Sequence, residues 1–148
     1  MDVLDVQVLT AYCLKCRKIV DSKHICPANH QVLLDAVLVG IVDKLDSIGL
    51  TPLMATFYFN KNQANKYRLR ITLTLTVGLK CEILEPLPAG WKYCWNGNEA
   101  SSIEFIDWLC VADKSEAEAR LKEVVKDFEA FLDSRDAEGI MAMILLTS

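Results

Sequence analysis

The chain has 148 residues, 52% of them hydrophobic, 24% charged and 8% aromatic. That is enough apolar material to build the core of a single domain, 1–148, and too much for a disordered chain. Six glycines and four prolines exclude collagen-like and linker-like chains, and a formal charge of -4 argues against a general basic coat for nucleic acid.

The opening Met1-Asp2-Val3-Leu4-Asp5 lacks the basic-then-apolar pattern of a secretory signal. No apolar run approaches the roughly 18–20 residues of a membrane span. The expectation is a cytoplasmic protein with reduced thiols and no membrane association.

Residues 3–12 are rich in β-branched side chains, and Val6 and Val8 share one face, which predicts a first strand. Residues 13–30 form a short, polar, basic insertion. A helix is predicted from Pro27 to Ser47, because proline suits a first helical turn and Gly49 is a natural stop. This stretch is apolar on nearly every side, through Val32, Leu33, Leu34, Val37, Leu38, Val39, Ile41, Val42 and Leu45. A helix of that kind is sandwiched between layers or sits in a subunit interface, so a homodimer is expected.

Residues 53–60 and 67–77 read as two strands. In the second, Leu69, Ile71, Leu73, Leu75 and Val77 alternate with Arg68, Arg70, Thr72, Thr74 and Thr76. One face is then buried and the other wet. Residues 78–113 read as an irregular insertion, broken by Pro86, Pro88 and Gly90. Within it, a short strand runs from Trp91 to Trp95, a turn falls at Asn96-Gly97, and another strand runs from Ile103 to Val111.

The next helix starts at a capping box, either Asp113 with Glu116 or Ser115 with Glu118. Ala117, Leu121, Val124, Val125, Phe128 and Leu132 then recur at helical spacing. The last apolar run, Ile140 to Leu146, follows Gly139 and is predicted to be a buried strand. Without its two insertions the order is βαββαβ, a ferredoxin-like α+β sandwich.

Five of the eight cysteines and histidines fall between positions 13 and 30: Cys13, Cys16, His24, Cys26 and His30. In Cys13-x2-Cys16 a tight turn lets two thiolates reach one ion at about 2.3 Å. Cys26 and His30 share one face if the chain there is helical. The pattern Cys-x2-Cys-x9-Cys-x3-His supplies soft and borderline ligands, which select zinc over magnesium or calcium. His24 is the alternative fourth ligand. Free thiols and a disulfide or redox pair are the competing readings. Cys81, Cys94 and Cys110 are too widely spaced for a second such site and read as core residues.

Residues 13–30 resemble small zinc fingers of the treble-clef or ββα type. There a knuckle supplies two cysteines and the start of a helix supplies the other ligands. The resemblance implies a structural zinc held by Cys13, Cys16, Cys26 and His30. Arg17 stands where such knuckles often carry glycine.

Two further surfaces stand out. Lys15, Arg17 and Lys18 of the insertion, with Tyr58, Arg68 and Arg70 of the wet sheet face, form a candidate surface for single-stranded nucleic acid. Trp91, Tyr93, Trp95 and Trp108 form a candidate protein-binding cluster. No nucleophile elbow, phosphate loop or dinucleotide glycine pattern is present, and both histidines lie in the metal loop. The leading expectation is a non-enzymatic zinc protein acting as a protein-interaction or adaptor module, with nucleic-acid binding as the alternative.

Overall fold

The computed structural model describes residues 2–3, 9–21, 23–26, 30–61, 66–109, 111 and 113–147. The strands are β1 (Asp2–Val3), β2 (Thr10–Cys13), β3 (Lys18–Val20), β4 (Gln31–Leu34), β5 (Pro52–Lys61), β6 (Tyr67–Leu79), β7 (Trp91–Asn96) and β8 (Glu99–Leu109). The helices are α1 (Val39–Ser47), α2 (Lys114–Asp133) and α3 (Ala137–Thr147), with a 3-10 turn at Ala36–Leu38. The protein is a mixed α+β chain whose strands form one sheet, in the order β3-β2-β4-β5-β6-β8-β7. β1 pairs with the Asn60–Lys61 end of β5.

The alternation predicted for 67–77 is present from Tyr67 to Leu75. Ala55, Phe57 and Phe59 of β5 lie opposite Leu73, Ile71 and Leu69 of β6. On its other side β6 aligns Ile71 with Phe105 and Leu73 with Ile103. α1 covers this inner face with Ile41, Val42 and Leu45, and α2 covers it with Leu121, Val124, Val125, Phe128 and Leu132, all buried. Each such side chain contributes about 1.5–3 kcal/mol when fully removed from water. Val77, predicted to share that face, is instead 58% exposed. The β6–β8 register shifts between Thr74 and Leu79, and the irregularity turns Leu79 inward in its place.

Two caps follow the expected chemistry. The Asp113 side chain accepts the Glu116 backbone N–H at 2.8 Å and so selects the first of the two capping boxes. α1 ends on Gly49 at φ 90°, with Gly49 N–H donating to the Asp46 carbonyl and Leu50 N–H to the Leu45 carbonyl. That pair of bonds is the Schellman arrangement.

The predicted helix from Pro27 to Ser47 is corrected. Residues 31–34 are strand β4, with Gln31 and Leu33 exposed and Val32 and Leu34 buried, a period of two. The helix begins only at Val39. The run looked apolar all round because it joins a strand paired on both edges to a short helix. Of the apolar run, Ile41, Val42 and Leu45 of the helix are buried, Val37 and Val39 are partly buried, and Leu33 is 45% exposed.

The predicted final strand is also corrected, since Ile140 to Leu146 lies within α3. Ala, Met and Leu dominate this run and favour helix. The helix also gains a turn by starting at Ala137, before Gly139. With this change no strand follows α2 among the described residues, so the second βαβ half of a ferredoxin-like order is absent there.

In the segment 78–113, residues 80–90 have no helix or strand, while the short strand predicted at Trp91–Trp95 lies in β7 and the one predicted from Ile103 overlaps β8. β7 and β8 form a hairpin that completes the sheet, closed by Gly97 (φ 67°) and Asn98. Of the first predicted strand, 3–12, the pairing segments are β1 and β2, and residues 4–8 lie outside the described residues.

Candidate metal centre

The hairpin β2–β3 builds the knuckle. Cys13 ends β2, and its carbonyl accepts the Arg17 N–H at 2.8 Å, closing the turn over Leu14, Lys15 and Cys16. Arg17 adopts φ 55°, the left-handed conformation that the usual knuckle glycine takes easily. Two contacts hold the side chain there. Its guanidinium donates to Asp43 Oδ1 at 2.8 Å and to Asp46 Oδ2 at 2.9 Å, both on α1. The Tyr12 hydroxyl donates to the same Asp43 oxygen at 2.7 Å, and Thr51 Oγ1 donates to Asp46 Oδ1 at 2.8 Å. The knuckle is thereby fastened to the helix beneath it.

The ligand atoms of Cys13, Cys16, His24 and Cys26 all lie within 4.8 Å of one another. Cys16 Sγ is 3.7 Å from His24 Nε2. A tetrahedral zinc with 2.3 Å bonds to sulfur needs edges of about 3.8 Å, so small side-chain adjustments close the site. Three sulfurs and one imidazole nitrogen match zinc chemistry, and four protein ligands leave no position for a reacting water.

The electrostatics suit thiolates. The Cys16 backbone N–H lies 3.4 Å from Cys13 Sγ and draws the Cys13 thiol down to about 6, against the opposing effect of burial. Cys16 moves the other way, raised first by the hydrogen bond it shares with Cys13. The cluster therefore retains protons that a bound cation would displace.

His24, the alternative ligand, is the histidine the structure brings to the cluster; His30 stands outside it. The shared-face argument for Cys26 and His30 needed a helix, but His30 immediately precedes strand β4. Residues 27–29, between Cys26 and His30, lie outside the described residues. The His30 carbonyl accepts the Leu14 N–H at 3.2 Å, and its buried Nε2 has no hydrogen-bond partner among the described residues. The hairpin pairs residues 18–20 with 11–13, and His24 and Cys26 beyond it lie at the knuckle. Sequence periodicity does not show that approach.

The basic surface is dispersed. Arg17 is engaged with Asp43 and Asp46. Arg70 donates to both Glu104 carboxylate oxygens at 2.8 and 3.0 Å and to the Tyr58 hydroxyl at 3.1 Å. The Arg68 guanidinium lies 5.7 Å from the Trp108 ring centroid. Lys15 and Lys18 remain exposed at the knuckle.

The aromatic cluster divides. Trp91, Tyr93 and Trp95 share edge strand β7, while Trp108 sits on β8 beside Arg68. Cys81 packs against the core and Cys94 is half-buried on β7, both as free thiols. Cys110 lies outside the described residues.

No helix among the described residues is long and apolar enough to cross a membrane. No family model, curated protein or solved structure matches the chain. The class of the protein therefore rests on its fold and site: a mixed α+β chain with a Cys3His cluster able to hold a metal ion.

Proposed function

We propose that the protein is a zinc-binding interaction module in which the metal is structural. The observation that carries this reading is the approach of Cys13, Cys16, His24 and Cys26 to within 4.8 Å, a closed four-ligand set on a knuckle anchored to α1. Zinc there ties β2, β3 and the following loop together at one end of the sheet. Thiolate ligands suit a reducing compartment, and we assign the protein to the cytoplasm. Binding rather than catalysis is favoured because the ligand set is full. A protein partner is favoured over nucleic acid because Arg17 and Arg70 spend their charge internally.

Metal analysis of the purified protein tests the zinc reading. One zinc per chain is expected, retained in His30→Ala and lost in His24→Ala and Cys26→Ser. Retention in His24→Ala with loss in His30→Ala would replace this ligand set. Absence of metal from the unmodified chain purified under reducing conditions, with no zinc uptake on titration, would overturn the reading.

A further inference from the structure

At the opposite end of the sheet from the knuckle, β7 is the last strand, and its outer edge has no partner strand among the described residues. A groove of ≈ 320 Å³ runs beside it, lined by Glu82, Glu85, Pro86 and Leu87 of the preceding loop and by Trp91, Tyr93, Trp95 and Lys92 of the strand. That volume suits one long side chain.

The groove is preformed. Leu84 N–H donates to the Tyr93 hydroxyl at 3.1 Å, and that hydroxyl donates to the Glu85 carbonyl at 2.9 Å. Ile83 and Leu84 are buried and anchor the loop, while Trp91 stacks on Phe128 with ring centroids 3.9 Å apart. The Tyr93 and Trp95 rings stand 6.0 Å apart at 40°, forming an open aromatic angle, and Trp95 is 43% exposed.

The lining charge is net negative, two carboxylates against one ammonium. Glu82 and Glu85 are exposed at the groove, and neither makes an ion pair among the described residues. Lys92 is the one cation of the lining, and its register position lies opposite Glu104, on the face of the sheet away from Tyr93. Aromatic faces carry negative potential, and two free carboxylates add to it, so the complement is an organic cation.

We propose that this groove binds a lysine-type alkylammonium side chain, primary or methylated, carried by an extended peptide lying along the free edge of β7. The ammonium sits between the Tyr93–Trp95 rings and the Glu82 and Glu85 carboxylates. Peptide backbone pairing along β7 supplies the rest of the affinity. The inference rests on the interaction-module reading and names the chemistry of its partner, but it does not depend on the metal.

The test uses the full-length protein with its zinc content measured in the same sample. Three short peptides identical except at one position carry lysine, trimethyllysine or acetyllysine there. Binding is followed through the Trp95 indole N–H resonance, assigned with Trp95→Phe. Saturable shifts are expected with lysine or trimethyllysine and not with acetyllysine, and affinity should fall as salt rises. The stronger of the first two identifies the methylation state of the ligand.

Trp95→Ala should weaken binding by about 5- to 30-fold, the equivalent of losing a cation–π contact. Glu85→Gln should weaken it while leaving the fold unchanged. Equal binding of the acetylated peptide would overturn the proposal, as would no shift with any peptide up to about 10 mM. Either failure with zinc still present at one per chain leaves the metal reading standing. Loss of zinc in the unmodified chain points to that reading instead.

Discussion

The two ends of the sheet are held by different physics. At the β3 end, the Cys13–Cys16 turn is secured by polar contacts: Arg17 to Asp43 and Asp46, Tyr12 to Asp43, and the Cys3His cluster. At the β7 end, Trp91 stacks on Phe128 and packs against Phe105, and a loop anchored by buried Ile83 and Leu84 is pinned through one tyrosine hydroxyl. One end depends on ligands and charge, the other on desolvated rings. The first should respond to chelators and the second to cavity-making substitutions.

The largest effect is expected from metal loss. In isolated fingers a structural zinc is worth about 10–16 kcal/mol. Cys26→Ser, or chelation of the unmodified chain, should abolish zinc binding. Amide exchange should then rise across residues 11–20 while α2 keeps its protection. Uniform loss of protection through α2 as well would mean that the two ends are not energetically separate.

Phe128→Ala probes the other end. The ring is fully buried and stacked on Trp91, so the substitution should cost about 3–5 kcal/mol in denaturant unfolding. Zinc stoichiometry should be unaffected.

Tyr93→Phe removes the hydroxyl that serves Leu84 N–H and the Glu85 carbonyl, at a cost of about 1–3 kcal/mol. The same hydroxyl yields a pH dependence. Burial pushes Tyr93 up to about 12 from an ordinary value of 10.0. Its folded-state value is raised, so its contribution is complete below pH ~10 and is lost as pH rises from there through about 12. Alkaline titration of unfolding midpoints should show this loss in the unmodified chain and less of it in Tyr93→Phe.

The smallest effect separates backbone from side chain at the knuckle. Arg17→Ala keeps φ 55° without the ion pairs and should cost about 1–2 kcal/mol. Arg17→Gly loses the same pairs but relieves the backbone, so it should be closer to neutral. Equal melting temperatures for the two variants would show that the left-handed conformation costs little here.

Much was legible in the chain itself. Strand β6 followed from the alternation of Leu69, Ile71, Leu73 and Leu75, α2 from its apolar spacing and Asp113 cap, and the α1 stop from Gly49. Cys13 and Cys16 could be assigned to one centre because a Cys-x2-Cys turn is a local geometry, and Cys26 because it falls in the same short cysteine- and histidine-rich stretch. The same local reading failed at residues 31–34. A continuous apolar run suits a buried strand as well as a helix, and only β2 and β5 on either side decide between them. It failed again at 140–146, where the apolar run belongs to the three-turn helix α3.

The sequence by itself determined the ligand inventory, the period of the long elements and their caps, because each depends on neighbours within a few residues. The tertiary structure alone decided that His24 and not His30 meets the cysteines. It also decided that Arg17 and Arg70 are paired internally, and that Trp91, Tyr93 and Trp95 share a groove with Glu82 and Glu85. Those outcomes depend on partners brought together across the chain by sheet order and crossover, and local periodicity carries no record of them.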